Sequence, residues 1–436
     1  MSLPKNCLYT NKINSSYARN YMSVIQPQNG DASRGDTIIF NIPTGNNLVM
    51  SGADTVLKFT LTLKGGATAH TANTVKLNKC GAYGCFQRVR IFHSGALLSD
   101  IDNYANLMDM IIPITQSSDG VASKYNILAG TDSGGGASFN PSGTIAIGSE
   151  ATSQNYCIPF MSILSLTPNY VPLFAMTGSP LRVEVQVVSA VNLLCKSVDA
   201  IVAPTTAALL SRIELVTNMI ELSDSGMNII KQSIGNGPVQ WITQDYRNYG
   251  INASLGTSET SLSIPVPAKF NSLNSLFFSF RSSHGGVAKR HALESTKFKL
   301  ADYFFRVGSR TIPNKPPNSV PEFFSELLRS FGTVSDVNQE CSINNVQYSM
   351  DNPSDMAGAE GAGASITGSF YVGIDMESYS NTSLDTVYTG TNTSNDDIFF
   401  VPRFNAQTNA TNIRIDAYAL YDQLILIQNG ACTVNY

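Results

Sequence analysis

Where the chain is apolar, it mostly alternates. Residues 56–63 read VLKFTLTL, with Leu57, Phe59, Leu61 and Leu63 on one side and Lys58, Thr60 and Thr62 on the other. A period of two predicts a half-buried strand. Residues 37–42 (TIIFNI) are rich in β-branched side chains and lie between Gly35 and Pro43. Residues 86–92 set Val89 and Ile91 opposite Arg88 and Arg90, and residues 181–188 (LRVEVQVV) alternate again. Residues 212–222 close the first half. In the second half, residues 261–266, 276–281, 303–307, 369–374 and 413–420 predict strands, with a short apolar run at 424–427 before Gly430. The longest loops, 116–155 and 355–365, are rich in glycine and small residues. Gly235-Asn236-Gly237-Pro238 is the strongest turn cluster in mid-chain and marks a junction. Trp241, just after it, is expected to pack there.

Two stretches break the strand period, and they match each other. The first helix is predicted to open at Ser99, with Asp102 three residues on; the second opens at Ser319, with Glu322 three residues on. A serine followed by an acid at that spacing satisfies backbone N–H groups at a helix start. Pro321 suits a first turn. At an offset of 220, Tyr104 pairs with Phe324, Leu107 with Leu327, Met108 with Leu328 and Ile111 with Phe331, one apolar stripe of helical period. Pro113 and Gly332 are read as the two stops. Each helix follows a strand and a Gly turn, Ser94-Gly95 or Gly308-Ser309. Arg212-Ile213-Glu214 and Arg414-Ile415-Asp416 each enter a late strand. The shared order predicts an internal duplication: two β-sandwiches of about eight antiparallel strands, each with one short helix covering what the strands leave open.

Composition fits that plan. Of 436 residues, 43% are hydrophobic and only 14% charged. Abundant Ser, Thr, Asn and Gly suits strands joined by ordered loops. The formal charge of -4 gives no electrostatic drive towards nucleic acid. No apolar run is long enough to span a membrane, and the first twenty residues lack the apolar core of a secretion signal. Residues 1–35 carry Lys5, Lys12, Arg19 and Arg34 against Asp31 and are read as an extended N-terminal arm.

The pattern resembles a known family. FQRVRIFHSGALLSDIDNYANLM, RIELVTNMIEL followed by GPVQWITQDYRNY, YFFRVGSRTIPNKPPNSVPEFFSELLRSFG and IRIDAYALYDQLILIQNG carry the likeness, which spans about residues 35–430. It is to the double jelly-roll major capsid proteins of the adenovirus and tailless-phage lineage. Among these, it is most similar to the smaller members from Polinton-like viruses, adintoviruses and virophages. The resemblance implies an all-β fold of two tandem eight-stranded jelly-roll β-sandwiches, each with a short flanking α-helix. The arm is 1–35, the first jelly roll 36–232 and the second 233–436. It further implies a homotrimeric pseudo-hexagonal capsomer that tiles an icosahedral shell. Its partners would be itself, penton and minor capsid proteins, and its place the virion. The very long tower insertions of the larger members are lacking.

Chemistry points nowhere else. There is no Gly-x-Ser-x-Gly elbow and no phosphate loop; GGGAS at 134–138 and GAEGAGAS at 358–365 are followed by no Lys-Ser/Thr. Seven cysteines are scattered, with Cys80 and Cys85 the one close pair, and four histidines, His70, His93, His284 and His291, supply no zinc spacing. Lys289 and Arg290, between His284 and His291, read as a solvated loop, and Asp396-Asp397 as an exposed turn. No catalytic, cofactor or metal residue is predicted, and the chain is read as a non-enzyme. The alternative function is a carbohydrate- or receptor-binding β-sandwich of a virus particle; a β-sandwich hydrolase would need an acid pair or triad.

Overall fold

The alternating segments become long antiparallel strands. A computed structural model describes residues 18–64, 74–131, 144–146, 152–189, 195–197, 207–235, 237–282, 292–332, 334, 340–351, 368–378 and 389–436. In the first half the main strands are β1 (Ala18–Ile25), β2 (Thr37–Ile42), β3 (Leu48–Lys64), β4 (Phe86–His93), β5 (Ala96–Asp102), β6 (Thr152–Pro159), β7 (Leu181–Val187) and β8 (Ala207–Leu222), and Thr74–Leu77, Thr144–Ala146 and Cys195–Ser197 form a small separate sheet. In the second they are β9 (Val239–Leu255), β10 (Ile264–Val266), β11 (Leu273–Ser282), β12 (Leu300–Val307), β13 (Arg310–Ile312), β14 (Tyr371–Asp375), β15 (Ile398–Phe404) and β16 (Thr411–Gln428). A final strand, β17 (Ala431–Asn435), extends the sheet beside β16.

The two halves share one strand order. The first half forms a sheet β1-β8-β3-β6 facing a sheet β2-β7-β4-β5. The second forms β9-β16-β11-β14 facing β10-β15-β12-β13. In each, first, eighth, third and sixth strands make one layer, and second, seventh, fourth and fifth the other. That is a jelly roll, and it occurs twice. The inward faces are the predicted ones. Leu57, Phe59, Leu61 and Leu63 are buried while Lys58, Thr60 and Thr62 are half-buried. In the second unit Phe278 stacks on Phe400 at 4.2 Å and meets Phe305 at 5.3 Å, an aromatic centre joining the two layers.

Three helices matter. They are α1 (Tyr104–Thr115), α2 (Asp224–Ile234) and α3 (Val320–Arg329). The sheets end at Leu222 and resume at Val239, so α2 is the connection, and the expected boundary at 232/233 falls inside it. Its start is capped by Ser223, whose hydroxyl accepts from the Gly226 N–H. Helix α3 covers the β14 edge. A Cβ on Gly373 would sit 2.3 Å from Ser330 Oγ and 3.0 Å from a Leu327 methyl, so only glycine admits the helix that close.

Several expectations need correcting. The arm does not extend to residue 35. Ala18–Ile25 pairs along its length with β8, and Ala32–Ser33 pairs with β8 further on. Residues 1–17 lie outside the described residues. Ser99 does not open a helix; it lies within β5, and α1 begins after Asn103, which adopts a left-handed conformation without capping through its side chain. Pro113 does not stop α1 but sits inside it. At α3 Glu322 does sit at the helix start, but it accepts from the Asn318 N–H, one residue before the N-cap, at 2.8 Å, and the Ser319 hydroxyl caps no helix N–H. The helices start at Tyr104 and Val320, four residues short of the expected offset. Of the expected loop 116–155, residues 118–129 form helical turns and its end belongs to β6. The loop at 355–365 lies outside the described residues.

Candidate functional site at the seam between the sandwiches

Helix α1 is buried on every side. From Tyr104 to Ile114 each residue is buried, whereas α3 buries only Phe323 and Leu327 fully. The difference has a cause. The apolar residues of α1, such as Tyr104, Leu107 and Ile111, belong to the continuous core, while its polar residues meet the outer face of the second unit's β9-β16-β11-β14 sheet.

Those polar contacts run in order along the helix. The Asn103 amide donates to Asn248 Oδ1 at 3.1 Å and Asp416 Oδ1 at 3.3 Å. The Asn106 amide donates to Ser279 Oγ and Tyr418 Oη, both at 2.9 Å. Tyr418 in turn donates to the Asn103 carbonyl at 3.0 Å. One turn on, Asp109 pairs with Lys79 at 3.0 Å, both side chains being buried. Lys79 also donates to Ser369 Oγ at 2.8 Å and Tyr371 Oη at 2.9 Å. The Tyr371 hydroxyl lies 3.1 Å from both the Asp109 carbonyl and its carboxylate, and donates to that pair. Burial and the adjacent Asp109 push this phenol well above its ordinary value, so it stays a donor. So α1 crosses the second sheet from β9 to β14, meeting a polar partner at each step.

Pro113 fits this arrangement. Lacking an N–H, it leaves the Asp109 carbonyl without its intrahelical donor, and the Tyr371 hydroxyl reaches that oxygen. The Pro113 carbonyl accepts from the Ser342 N–H at 2.8 Å and the Ser342 hydroxyl at 3.1 Å. A residue expected to end a helix instead ties the helix to the second unit.

Away from α1 the seam continues. The Trp241 indole N–H donates to Thr167 Oγ1 at 3.0 Å, so the single tryptophan does pack at the junction. Thr243 donates to the Ile163 carbonyl at 2.7 Å, and Gln423 to the Leu98 carbonyl at 2.7 Å. His93 Nε2 is 2.9 Å from the Gly430 carbonyl and so carries the proton there. Arg281, with Nε at 2.8 Å, and Arg414, at 3.0 Å, hold the fully buried Asp416. These buried polar bonds fix one relative placement of two bodies, because any slip breaks them, while Asn106 Oδ1, Asp109 Oδ1, Asn248 Nδ2, His93 Nδ1 and Gln423 Oε1 have no partner among the described residues.

One seam carboxyl is set to titrate. Asp245, fully buried on β9, accepts from Ser99 Oγ at 2.9 Å, the Tyr246 N–H at 2.9 Å and the Tyr421 hydroxyl at 3.0 Å. Burial nonetheless pushes it up to about 7. The folded state therefore holds this proton more tightly than the unfolded chain. The resulting stability is full below the ordinary carboxyl value near 4, and is lost as pH rises towards about 7. An asparagine keeps the oxygen for Ser99 and Tyr246 and has nothing to ionise. Between about pH 4 and pH 7 the wild-type melting temperature is expected to lose ground steadily to that of Asp245→Asn. Parallel melting curves across that range would contradict the assignment.

Of the residues weighed for chemistry, Cys80 and Cys85 are buried and not joined in a disulfide, and burial raises Cys80 well above its usual value. Among the described residues no group of three or more His, Cys, Asp or Glu could hold a metal ion. Nor is any helix among them long and apolar enough to cross a membrane. Asp397 makes an exposed pair with Lys269 at 3.1 Å, as fits a turn. His70, His284, Lys289, Arg290 and His291 lie outside the described residues.

No protein-family model and no curated protein sequence matches the chain. Solved structures do. The chain is similar to PBCV-1 VP54 as fitted into a cryo-EM reconstruction of the virophage Sputnik, with a TM-score of 0.66 and 12% identity over 98% of this chain and 100% of that one. It is similar to the Faustovirus major capsid protein, with a TM-score of 0.63 and 9% identity over 97% and 93%. It is also similar to the mavirus major capsid protein, with a TM-score of 0.58 and 12% identity over 100% and 93%. These matches extend over nearly the whole of both chains, so the fold held in common is the complete tandem pair of jelly rolls.

Proposed function

We propose that the chain is a major capsid protein. It forms a homotrimeric, pseudo-hexagonal capsomer that tiles an icosahedral virus shell. The observation that carries this is the seam. Two jelly rolls of one topology are locked side by side into one rigid building block by a helix that belongs to one and is covered by the other. Such a block occupies about a third of a hexagonal outline, and three copies about a threefold axis close it. The fold shared with the Faustovirus and mavirus major capsid proteins supports this over a carbohydrate- or receptor-binding role. A shell subunit acts through its surfaces, so the reading calls for no catalytic group or cofactor. Its partners are further copies of itself, then penton and minor capsid proteins, and its place is the virion.

Light scattering coupled to size exclusion on the recombinant protein tests the reading. A particle of three chain masses that persists on dilution is expected, since obligate contacts bury areas at the upper end of interface sizes. Folded protein that stays a monomer or dimer at micromolar concentration would overturn it.

A further inference from the structure

We propose that the chain carries a site for a primary alkylammonium group, such as a lysine side chain bears, with Asp422 as its anion. The site is an open cleft of about 260 Å³ at one end of the second sandwich, where the residues just before β11, the Gly390 loop and the end of β17 meet. It belongs to a single chain, so it stands apart from the three-copy reading.

The carboxylate is the feature that calls for a ligand. Asp422 is 6% exposed. Its Oδ1 accepts from the Asn274 amide at 2.8 Å and the Gln244 amide at 3.1 Å, and its Oδ2 accepts from the Ser272 hydroxyl at 2.6 Å. The Ser272 oxygen in turn accepts from the Gly390 N–H at 3.2 Å, which leaves its proton for Asp422. All of these donors are neutral, and no lysine or arginine among the described residues pairs with Asp422. Asp109 and Asp416, as deeply buried, have their cations: Lys79 on the first, Arg281 and Arg414 on the second. Asp245, which also meets neutral donors, is pushed up to about 7 by burial and can hold a proton. Asp422 differs from it in lining a cleft that solutes can enter. A carboxylate taken out of water without a counter-charge is costly, and a cation in the cleft offsets that cost.

The rest of the lining suits an ammonium on an alkyl stem. Asp422 is the one charged residue among those that line the cleft. Asn271 and Asn435 are exposed, and their side-chain amides have no partner among the described residues, so their oxygens are free to accept. Leu424 and the Tyr436 ring give apolar walls for methylene groups. That ring is 37% exposed and is held edge-on by Tyr421 at 6.0 Å and Phe270 at 6.4 Å. Aromatic faces attract cations, and Arg247 already lies over this one at 5.9 Å without pairing with Asp422.

The free acceptor position selects the kind of cation. A carboxylate offers about four such positions. Oδ1 already accepts twice and Oδ2 once, so the open place is on Oδ2. A guanidinium fork takes both oxygens at once, whereas an ammonium is a point charge that needs only one. Its other N–H groups can be met by the Asn271 and Asn435 oxygens.

Saturation-transfer NMR on the purified full chain tests this, with butylammonium, butylguanidinium and an end-blocked Gly-Lys-Gly peptide as probes. Butylammonium is expected to give a signal at millimolar concentration, and butylguanidinium a much weaker one. A peptide signal at least as strong as that of butylammonium assigns the site to a lysine of another chain; a weaker one assigns it to a free amine. Asp422→Asn is expected to abolish the signal. Because that change disturbs buried donors, Asn435→Lys is made beside it: the position is exposed, and an ammonium supplied by the chain itself should fill the cleft. This variant is expected to lose the signal and to melt at a higher temperature than the wild type. Emission from Trp241 verifies that each variant is folded. No butylammonium signal from the wild type, an equal signal from butylguanidinium, or a signal unchanged in folded Asn435→Lys overturns the proposal.

Discussion

Replacing Asp109 with alanine is expected to cost about 3–5 kcal/mol of folding stability, the range seen when one member of a buried ion pair is removed. Lys79 cannot reach water from its place: 7% of its side chain is exposed, against 2% for Asp109. Without the carboxylate its ammonium keeps only the Ser369 and Tyr371 oxygens, both neutral. The Tyr371 hydroxyl loses one of its two acceptors as well. The pair itself is a different matter, since desolvating two charges offsets most of their attraction. Lys79→Met combined with Asp109→Leu should therefore recover most of the loss. Urea denaturation of the two single variants and the double variant separates these effects. Single variants within about 1 kcal/mol of wild type would show that the pair is not sealed from water.

The second large effect is expected at Leu107. Its side chain is fully buried in α1, a helix packed against both sandwiches. Leu107→Ala removes core volume where the surroundings cannot collapse, because α1 is held on its other side by Asn103, Asn106 and Asp109. Such truncations cost about 2–5 kcal/mol. The single tryptophan makes the result readable, because Trp241 sits in the seam and bonds across it to Thr167. Its emission and the far-ultraviolet signal of the strands should lose stability together, since α1 belongs to both. A variant that melts like the wild type by both signals would remove α1 as a packed element. A shift of tryptophan emission alone would mean that the seam opens without unfolding either sandwich.

Much of the architecture was legible in residue order because a period of two is a local signal. It marked β4, β7 and the second half of β3, while β-branched and apolar runs marked β2 and much of β8, β10, β11, β12, β14 and β16. The strand β1 was not legible. ARNYMSVI is exposed or half-exposed at every position but the last, so nothing in it alternates. In β5, the apolar spacing of Leu97, Leu98 and Ile101 suits a helix as well as a strand, and a helix does follow, so the boundary was placed too early. Helix α2 carried a readable start at Ser223, yet its Gly226 and the glycines after it favoured a turn. The seam was hidden for another reason. Asn106 and Asp109 are ordinary polar residues of a helix face in sequence, and their partners Ser279, Tyr418 and Tyr371 lie far along the chain. What a polar residue faces is decided by topology, which no local period reports. Trp241 was the exception, because a lone large side chain beside a turn cluster has few places to go other than a junction.

On the proposed function, one chain is a rigid pair of like jelly rolls and three chains make a closed six-lobed unit. Electron microscopy of the purified, unmodified protein tests it most directly. Averaged top views should show a hexagonal outline with six lobes of alternating, slightly different shape, because the two units share a topology but not a sequence. Averages showing isolated two-lobed particles, or two lobes that vary in their relative placement from image to image, would contradict it.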